Sequence, residues 1–291
     1  MSVNKTEQTL CLEDGRHLGY AEYGAPEGTL VMVFHGYPGS RLQAQLMSYS
    51  AAHLGVRVVA PERPGFGLSD FKPKRTLLDW PRDVLALADA LGADRFAVLG
   101  VSGGGPYAAV CAHQIPQRVT KVGLVAALGP SHVPGAIGAM QPQNRLLLRL
   151  GRFAPWLLPI LFKGMVHSLR TNPDKFLKQA TEQLPEEDLL VLRQGDHWAW
   201  LLADARETFR SGVRGAAREA VLFARPWGFR LEEIRAPVYL WQGEKDQNAP
   251  PVIGHYLART IPGCQAKFVP DKAHYSLIVG CVEEVLRKLV E

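Results

Sequence analysis

Three residues far apart in this chain have the types that acyl transfer through an oxygen nucleophile requires: Ser102, Asp246 and His274. Ser102 stands in Gly100-Val101-Ser102-Gly103-Gly104, a Gly-x-Ser-x-Gly pattern. It lies between an apolar run, Phe96-Ala97-Val98-Leu99, and an Ala-rich segment that opens with Pro106. The run has the length of a buried strand, and the segment reads as a helix with proline in its first turn. A serine in so tight a strand-to-helix turn projects its hydroxyl from the sheet edge, and side chains beside it would collide with neighbouring backbone. The helix start behind it aims N–H groups and a positive dipole end at a developing oxyanion.

Such a nucleophile needs a base, an acid to orient the base, and oxyanion donors. Of nine histidines, His274 is the one in the right place, in Pro270-Asp271-Lys272-Ala273-His274-Tyr275 after the last strand-like run. Loops converge there, at the carboxyl edge of a parallel sheet. The segment Gly243-Glu244-Lys245-Asp246-Gln247-Asn248-Ala249-Pro250 follows the preceding run and offers Glu244 and Asp246, with Asp271 as a third candidate acid. Asp246 is preferred because it sits deeper in its loop, where a carboxylate reaches back to the imidazole. Gly103 should supply one oxyanion N–H. The second is expected from His35-Gly36-Tyr37-Pro38-Gly39, at Tyr37, since Pro38 has no donor and Gly36 lets the chain turn close to substrate. His35 is expected to brace that loop rather than act as a base, and it joins Trp198, Trp200, Trp227 and Tyr275 as a candidate substrate contact. Glu186, Glu187, Asp188, Asp196 and Asp204 read as solvated helix faces.

The elements that must hold these residues alternate. A hairpin over 8–24, with Asp14-Gly15 as its turn, precedes the strand Thr29–Phe34, a helix over 41–54, the strand Val56–Ala60, a helix over 79–91 and the strand Arg95–Val101. A further apolar run, Lys121–Ala127, follows. Strand, helix, strand in this order predicts an α/β fold with a mostly parallel central sheet flanked by helices. From 129 to 225 only helical segments are visible, so an all-helical insertion is expected. Strands resume at 236–242 and 265–269, separated by a helix over 250–261 and followed by an amphipathic helix over 276–290.

Composition narrows the function classes. The 291 residues carry a net charge of +5 with scattered basic residues, and no basic stripe with interleaved aromatics marks a nucleic-acid partner. Four cysteines lie far apart, without Cys-x-x-Cys or paired histidines, so neither a disulfide framework nor a metal or other cofactor is expected. The polar start, Met1 to Gln8, lacks an apolar signal core, and the most apolar stretch, Phe153–Val166, is interrupted by Pro155, Pro159 and Lys163. A cytoplasmic protein with no membrane partner is the expectation.

These motifs, in this order, resemble the α/β-hydrolase superfamily over essentially the whole chain. The matching pieces are His35 to Gly39, Glu62-Arg63-Pro64-Gly65-Phe66-Gly67-Leu68-Ser69, Gly100 to Gly104, Gly243 through Asp246 to Pro250, and His274. The order Ser102, Asp246, His274 is that of the nucleophile-elbow hydrolases. Glu62 stands where Asp is commoner, and Ala273 replaces a glycine often found before the histidine. The resemblance implies a core of residues 1–129 and 226–291 with a helical cap, 130–225, over the active site. Serine at the elbow sets the chain apart from the family's haloalkane dehalogenases and epoxide hydrolases, which use Asp. Proline iminopeptidases share a similar opening loop and cap but usually carry Gly-Gly-Ser-Trp-Gly at the elbow. A serine esterase or lactonase is therefore expected, acting on a small-molecule ester or lactone. Taken whole, the chain is also similar to the serine-dependent macrolide esterases, which open the lactone of macrolide antibiotics, although no single motif carries that likeness. A general carboxylesterase, an iminopeptidase-like hydrolase and a non-catalytic ligand receptor are the alternatives.

Overall fold

Short runs rich in Val, Leu and Phe become strands, and the Ala- and Leu-rich segments between them become helices. In the computed structural model, which describes residues 3–291, the strands are β1 (Val3–Cys11), β2 (His17–Gly24), β3 (Thr29–Phe34), β4 (Val56–Pro61), β5 (Phe96–Val101), β6 (Val119–Val125), β7 (Val238–Gly243) and β8 (Gln265–Val269). Met1 and Ser2, part of the polar start, lie outside the described residues. The eight strands form one sheet in the order β1-β2-β4-β3-β5-β6-β7-β8. Only the first two pairings, β1 with β2 and β2 with β4, are antiparallel. The remaining pairings are parallel, as the alternating sequence requires.

The sheet separates two apolar layers. Along β3, Met32 and Phe34 face one cluster and Val31 and Val33 face the other, the period of two expected of a strand buried on both sides. Helices α1 (Ser48–His53), α2 (Trp80–Ala90) and α3 (Gly105–Gln114) connect the early strands. Between β6 and β7 lie α4 (Ala136–Ala139), α5 (Pro142–Phe153), α6 (Leu158–Thr171), α7 (Pro173–Thr181), α8 (Glu186–Leu192), α9 (His197–Thr208) and α10 (Arg214–Phe223), an insertion without strands. The chain closes with α11 (Pro251–Thr260), α12 (His274–Gly280) and α13 (Val282–Val290). The expected helix over 276–290 is thus two: Cys281, at φ −110 and ψ 4, breaks it after Gly280, a weak helix former. The first piece starts at His274 itself, where the Ser276 side chain accepts from Ala273 N–H at 2.8 Å. Among the described residues no helix is long and apolar enough to cross a membrane.

Candidate active site

At the end of β5 the chain turns through Ser102–Gly104 into α3. Ser102 has φ +52, in the left-handed region where a non-glycine residue is held at a cost of about 1–3 kcal/mol. The motif's glycines make the turn possible. A Cβ on Gly100 would lie 2.6 Å from Gly104 O, and one on Gly104 would lie 2.0 Å from Phe34 O, so α3 sits directly against the ends of β5 and β3. Gly103, in the first turn, has an N–H with no partner inside the helix.

The loop after β3 faces this turn. The Gly36 carbonyl accepts from Arg63 Nη2 and from His35 Nδ1, each at 2.9 Å. In a planar trans peptide the N–H points opposite to the C=O, so these bonds turn Tyr37 N–H away from Arg63. Gly103 is packed against this residue: a Cβ built on it would lie 3.1 Å from Tyr37 N. The two N–H groups expected to meet an oxyanion are therefore neighbours. His35 Nε2 accepts from Arg63 N–H at 3.3 Å, which leaves Nδ1 as the donor to Gly36 O. Burial, with the Arg63 charge beside it, pushes the His35 pKa well below the usual imidazole range and keeps the ring neutral. It borders the cavity, but both ring nitrogens are engaged within the protein. Its ring thus braces the loop while the residue also lines the cavity.

His274 Nδ1 meets Asp246 Oδ2 at 2.7 Å, and both residues are buried. The other Asp246 oxygen accepts from Asn248 N–H at 2.8 Å and Ala249 N–H at 2.9 Å, so the loop's own backbone aims the carboxylate. Burial alone would lower the His274 pKa, but the Asp246 carboxylate and, less strongly, Asp188 carry it above the ordinary imidazole value. The rival acids point elsewhere: Glu244 is exposed, 3.8 Å from His255, and Asp271 is exposed.

Ser102, Gly103, Tyr37 and His274 share the wall of a cavity of about 980 Å³ whose roof is the insertion. Met140, Leu147, Phe162, Met165, Phe176 and Phe209 supply apolar lining from that roof, and Gln141, Gln143, Asn144, Gln179 and Gln183 supply amides. Trp200 and Tyr275 line the cavity as expected. Trp198 and Trp227 do not. Trp198 is half-buried on α9 away from the lining, and Trp227 is buried in the core, stacked on Phe229 at 5.8 Å. Trp227 fills a core position from the loop after α10, and Trp198 lies on a face of α9 turned away from the ligand space. Among the described residues no group of three or more His, Cys, Asp or Glu is arranged to hold a metal ion.

Two acids read as solvated are not. Asp188 is fully buried and accepts from His274 N–H at 3.2 Å and Ser276 N–H at 2.8 Å, capping the helix that begins at His274. Asp204 is buried on the cavity wall and accepts from Ser40 N–H, Ser40 Oγ and Gln43 Nε2. A cue existed for Asp204, since it falls on the same helical face as Trp200 and Leu201, at spacings of four and three. No motif in the sequence marks Glu219. It is fully buried on α10, where it holds Arg63 through two bonds of 2.8 Å and accepts from Tyr107 OH at 2.5 Å and Arg75 Nη2 at 3.1 Å.

Comparison with known proteins agrees with this architecture. The chain is 27% identical over 261 residues to a 2-hydroxy-6-oxo-6-phenylhexa-2,4-dienoate hydrolase of Burkholderia cepacia, a match covering 87% of this chain and 83% of that protein. A hydrolase from Pseudomonas aeruginosa superposes with a TM-score of 0.69 at 21% identity, covering 96% of this chain and 98% of that one. The enol-lactonase from Burkholderia xenovorans superposes with a TM-score of 0.66 at 20% identity, covering 98% of this chain and all of that one (100%). These two likenesses are of fold. The family profile described as alpha/beta hydrolase fold matches residues 29–280, from β3 through α12, and the chain belongs to that family.

Proposed function

We propose that the protein is a serine hydrolase that cleaves a large, uncharged carboxylic ester or lactone through an acyl-enzyme, with the macrolactone of a macrolide antibiotic as the best-fitting substrate. The observation that carries this reading is a shared wall: Ser102 at its strained turn and the His274–Asp246 pair border one cavity of about 980 Å³. That volume is at the upper end of the roughly 300–1,000 Å³ usual for small-molecule sites, which favours a bulky substrate. Among the described residues the lining contains no Lys or Arg. The dienoate in the Burkholderia cepacia relative's name is a carboxylate, and such a group would be buried here without a cationic partner, at considerable cost. A neutral ring with carbonyl and hydroxyl groups suits the apolar walls and the amide side chains. An iminopeptidase-like reading wants a carboxylate for a free amine. The one carboxylate on the lining among the described residues, Asp204, is already engaged by Ser40 and Gln43.

The chemistry follows from the positions. His274 Nε2 takes the Ser102 proton as Oγ attacks the ester carbonyl carbon, and the N–H groups of Tyr37 and Gly103 hold the oxyanion. The C–O bond then breaks while His274 delivers that proton to the leaving alkoxide. For a lactone the alcohol stays attached, so the ring opens. Water, deprotonated by His274, attacks the acyl-enzyme, and Ser102 leaves with the proton returned to it. Asp246 keeps the ring oriented and stabilises its charged form. Opening a macrolide in this way would make the protein a resistance enzyme.

The test is mass spectrometry of a mixed panel (short p-nitrophenyl esters, proline arylamides, several macrolides, a 2-hydroxy-6-oxodienoate) incubated with wild type and Ser102→Ala. Gain of one water by a macrolide, with wild type only, is the expected result. Cleavage of short esters alone would leave a general carboxylesterase and remove the macrolide. Binding without turnover would replace the enzyme by a ligand receptor.

A further inference from the structure

We infer that Asp204 of the cap is a positioning residue for the oxyanion hole: acting through Gln43, it fixes the main chain at Gly36, and the hole has its working shape only while the cap is seated. This rests on the hydrolase reading and on Tyr37 N–H as an oxyanion donor. Gly36 is flanked by two peptide groups, and each is held by a chain of contacts that ends on a buried cap carboxylate. On the carbonyl side, Gly36 O accepts from Arg63, which is itself gripped by Glu219 of α10. On the amide side, Gly36 N–H donates to Gln43 Oε1 at 2.6 Å, and Gln43 Nε2 donates to Asp204 Oδ2 at 2.9 Å. The second Asp204 oxygen accepts from Ser40 N–H at 2.9 Å and Ser40 Oγ at 2.6 Å. Trp200, one turn earlier on α9, donates Nε1–H to Leu42 O at 3.1 Å, so the helix holds residues 40, 42 and 43 together.

The space is made for this arrangement. A Cβ on Gly39 would lie 2.2 Å from Gln43 Nε2, and one on Gly36 would lie 3.2 Å from Gln43 Oε1 and 3.5 Å from Ser102 Cβ. The Gln43 amide is thus wedged beside the nucleophile with its polarity dictated from both ends. Gly36 N–H demands an acceptor and Asp204 demands a donor. The loop's own Gly36 N–H selects the oxygen at one end, and the cap carboxylate holds the NH₂ at the other.

The polarity gives a decisive experiment. In Asp204→Asn, with the oxygen of the introduced amide kept on Ser40, its NH₂ meets the Gln43 amide donor to donor, and flipping Gln43 moves the clash to Gly36 N–H. In Gln43→Glu, two carboxylates face each other. In the double variant every bond returns with the same total charge. Gly36 N–H and the amide introduced at position 204 both donate to the carboxylate introduced at position 43, and Ser40 donates to the amide oxygen. The readouts are the rate at which a fluorophosphonate labels Ser102, kcat and KM for p-nitrophenyl butyrate, and thermal unfolding. Each single variant is expected to lower labelling and kcat by about 10- to 100-fold, below the roughly 10²–10³ of a lost donor, with KM little changed. The double variant should recover most of both. Unchanged kcat in the singles, or recovery of thermal stability in the double without recovery of labelling, overturns the inference. If a single variant does not fold, Gln43→Ala, which cuts the relay but leaves Asp204 its Ser40 bonds, takes its place with the same expected loss. A wild type that is not labelled at Ser102 and turns over no ester defeats the hydrolase reading itself, an outcome distinct from labelling that is equal in all variants.

Discussion

At the scale of single residues, the site is a set of groups whose roles are decided by what touches them. His274 and His35 are both buried histidines beside one cavity. The first faces Asp246 and Asp188 and is held above its ordinary pKa, whereas the second faces Arg63 and is held far below it. A base must be neutral to accept a proton. Activity should therefore rise with pH through a midpoint above the ordinary imidazole value, as His274 loses its proton. Asp246→Asn removes the charge that raises His274, so the midpoint should move to lower pH while kcat falls by about 10⁴-fold, as the ring loses its oriented tautomer. A pH–rate profile of both proteins checks this; an unmoved midpoint would mean that Asp246 does not govern His274. Gly103 is a second residue-scale case. A Cβ there would lie 2.5 Å from Tyr37 Cβ, so Gly103→Ala should push the Gly36–Tyr37 loop aside and, on the proposed mechanism, cost kcat about as much as a lost donor, roughly 10²–10³.

At the scale of elements, α10 is the piece that brings the helical insertion and the loop after β4 together. Gly215, in its first turn, lies against the loop at Gly65: a Cβ on Gly215 would be 2.2 Å from Gly65 O. The contact brings Glu219, a turn further along, onto Arg63, and Tyr37 OH donates to Ala216 O at 2.8 Å. Gly215→Ala must open this contact between backbones. A loss of about 1–3 kcal/mol in urea unfolding is the expected outcome, as for overpacking in a core. Because the displaced helix also carries Ala220 and Phe223 of the cavity wall, KM for a bulky ester should rise with it. Unchanged stability would show that the helix shifts freely on its seat.

At the scale of the molecule, the helical insertion and the sheet are joined by buried charge as well as by apolar packing. Glu219 answers two guanidinium groups, those of Arg63 and Arg75, and Tyr107 OH from α3 completes the cluster. Removing one partner of a buried ion pair strands the others without water. Glu219→Ala is accordingly expected to cost about 3–5 kcal/mol. Calorimetry should find one cooperative transition in wild type, because the insertion cannot leave without exposing these charges, and a broadened or divided one in Glu219→Ala. A single sharp transition at unchanged temperature in the variant would contradict that coupling.

The sequence by itself determined the chemistry-bearing turn, the alternation of the sheet and the presence of a helical insertion. Each is a local property: glycines around Ser102, apolar runs of strand length, and a stretch of helical segments between two such runs. It also ranked Asp246 above its neighbours, because depth in a short loop is visible as spacing. Only the tertiary structure decided which insertion residues meet the core. Periodicity says that a residue lies on a helix face but not what that face packs against, so Trp198 looked like a pocket residue, and Asp188 and Asp204 looked solvated; Trp227 lies in the loop after α10, where no periodicity places it. Gln43 and Asp204 are 161 positions apart, and their hydrogen bond exists because α9 comes to rest on the loop after β3. Short-range pattern carries Ser102 and its turn, but the bond that orients the Gln43 amide beside it is a long-range contact.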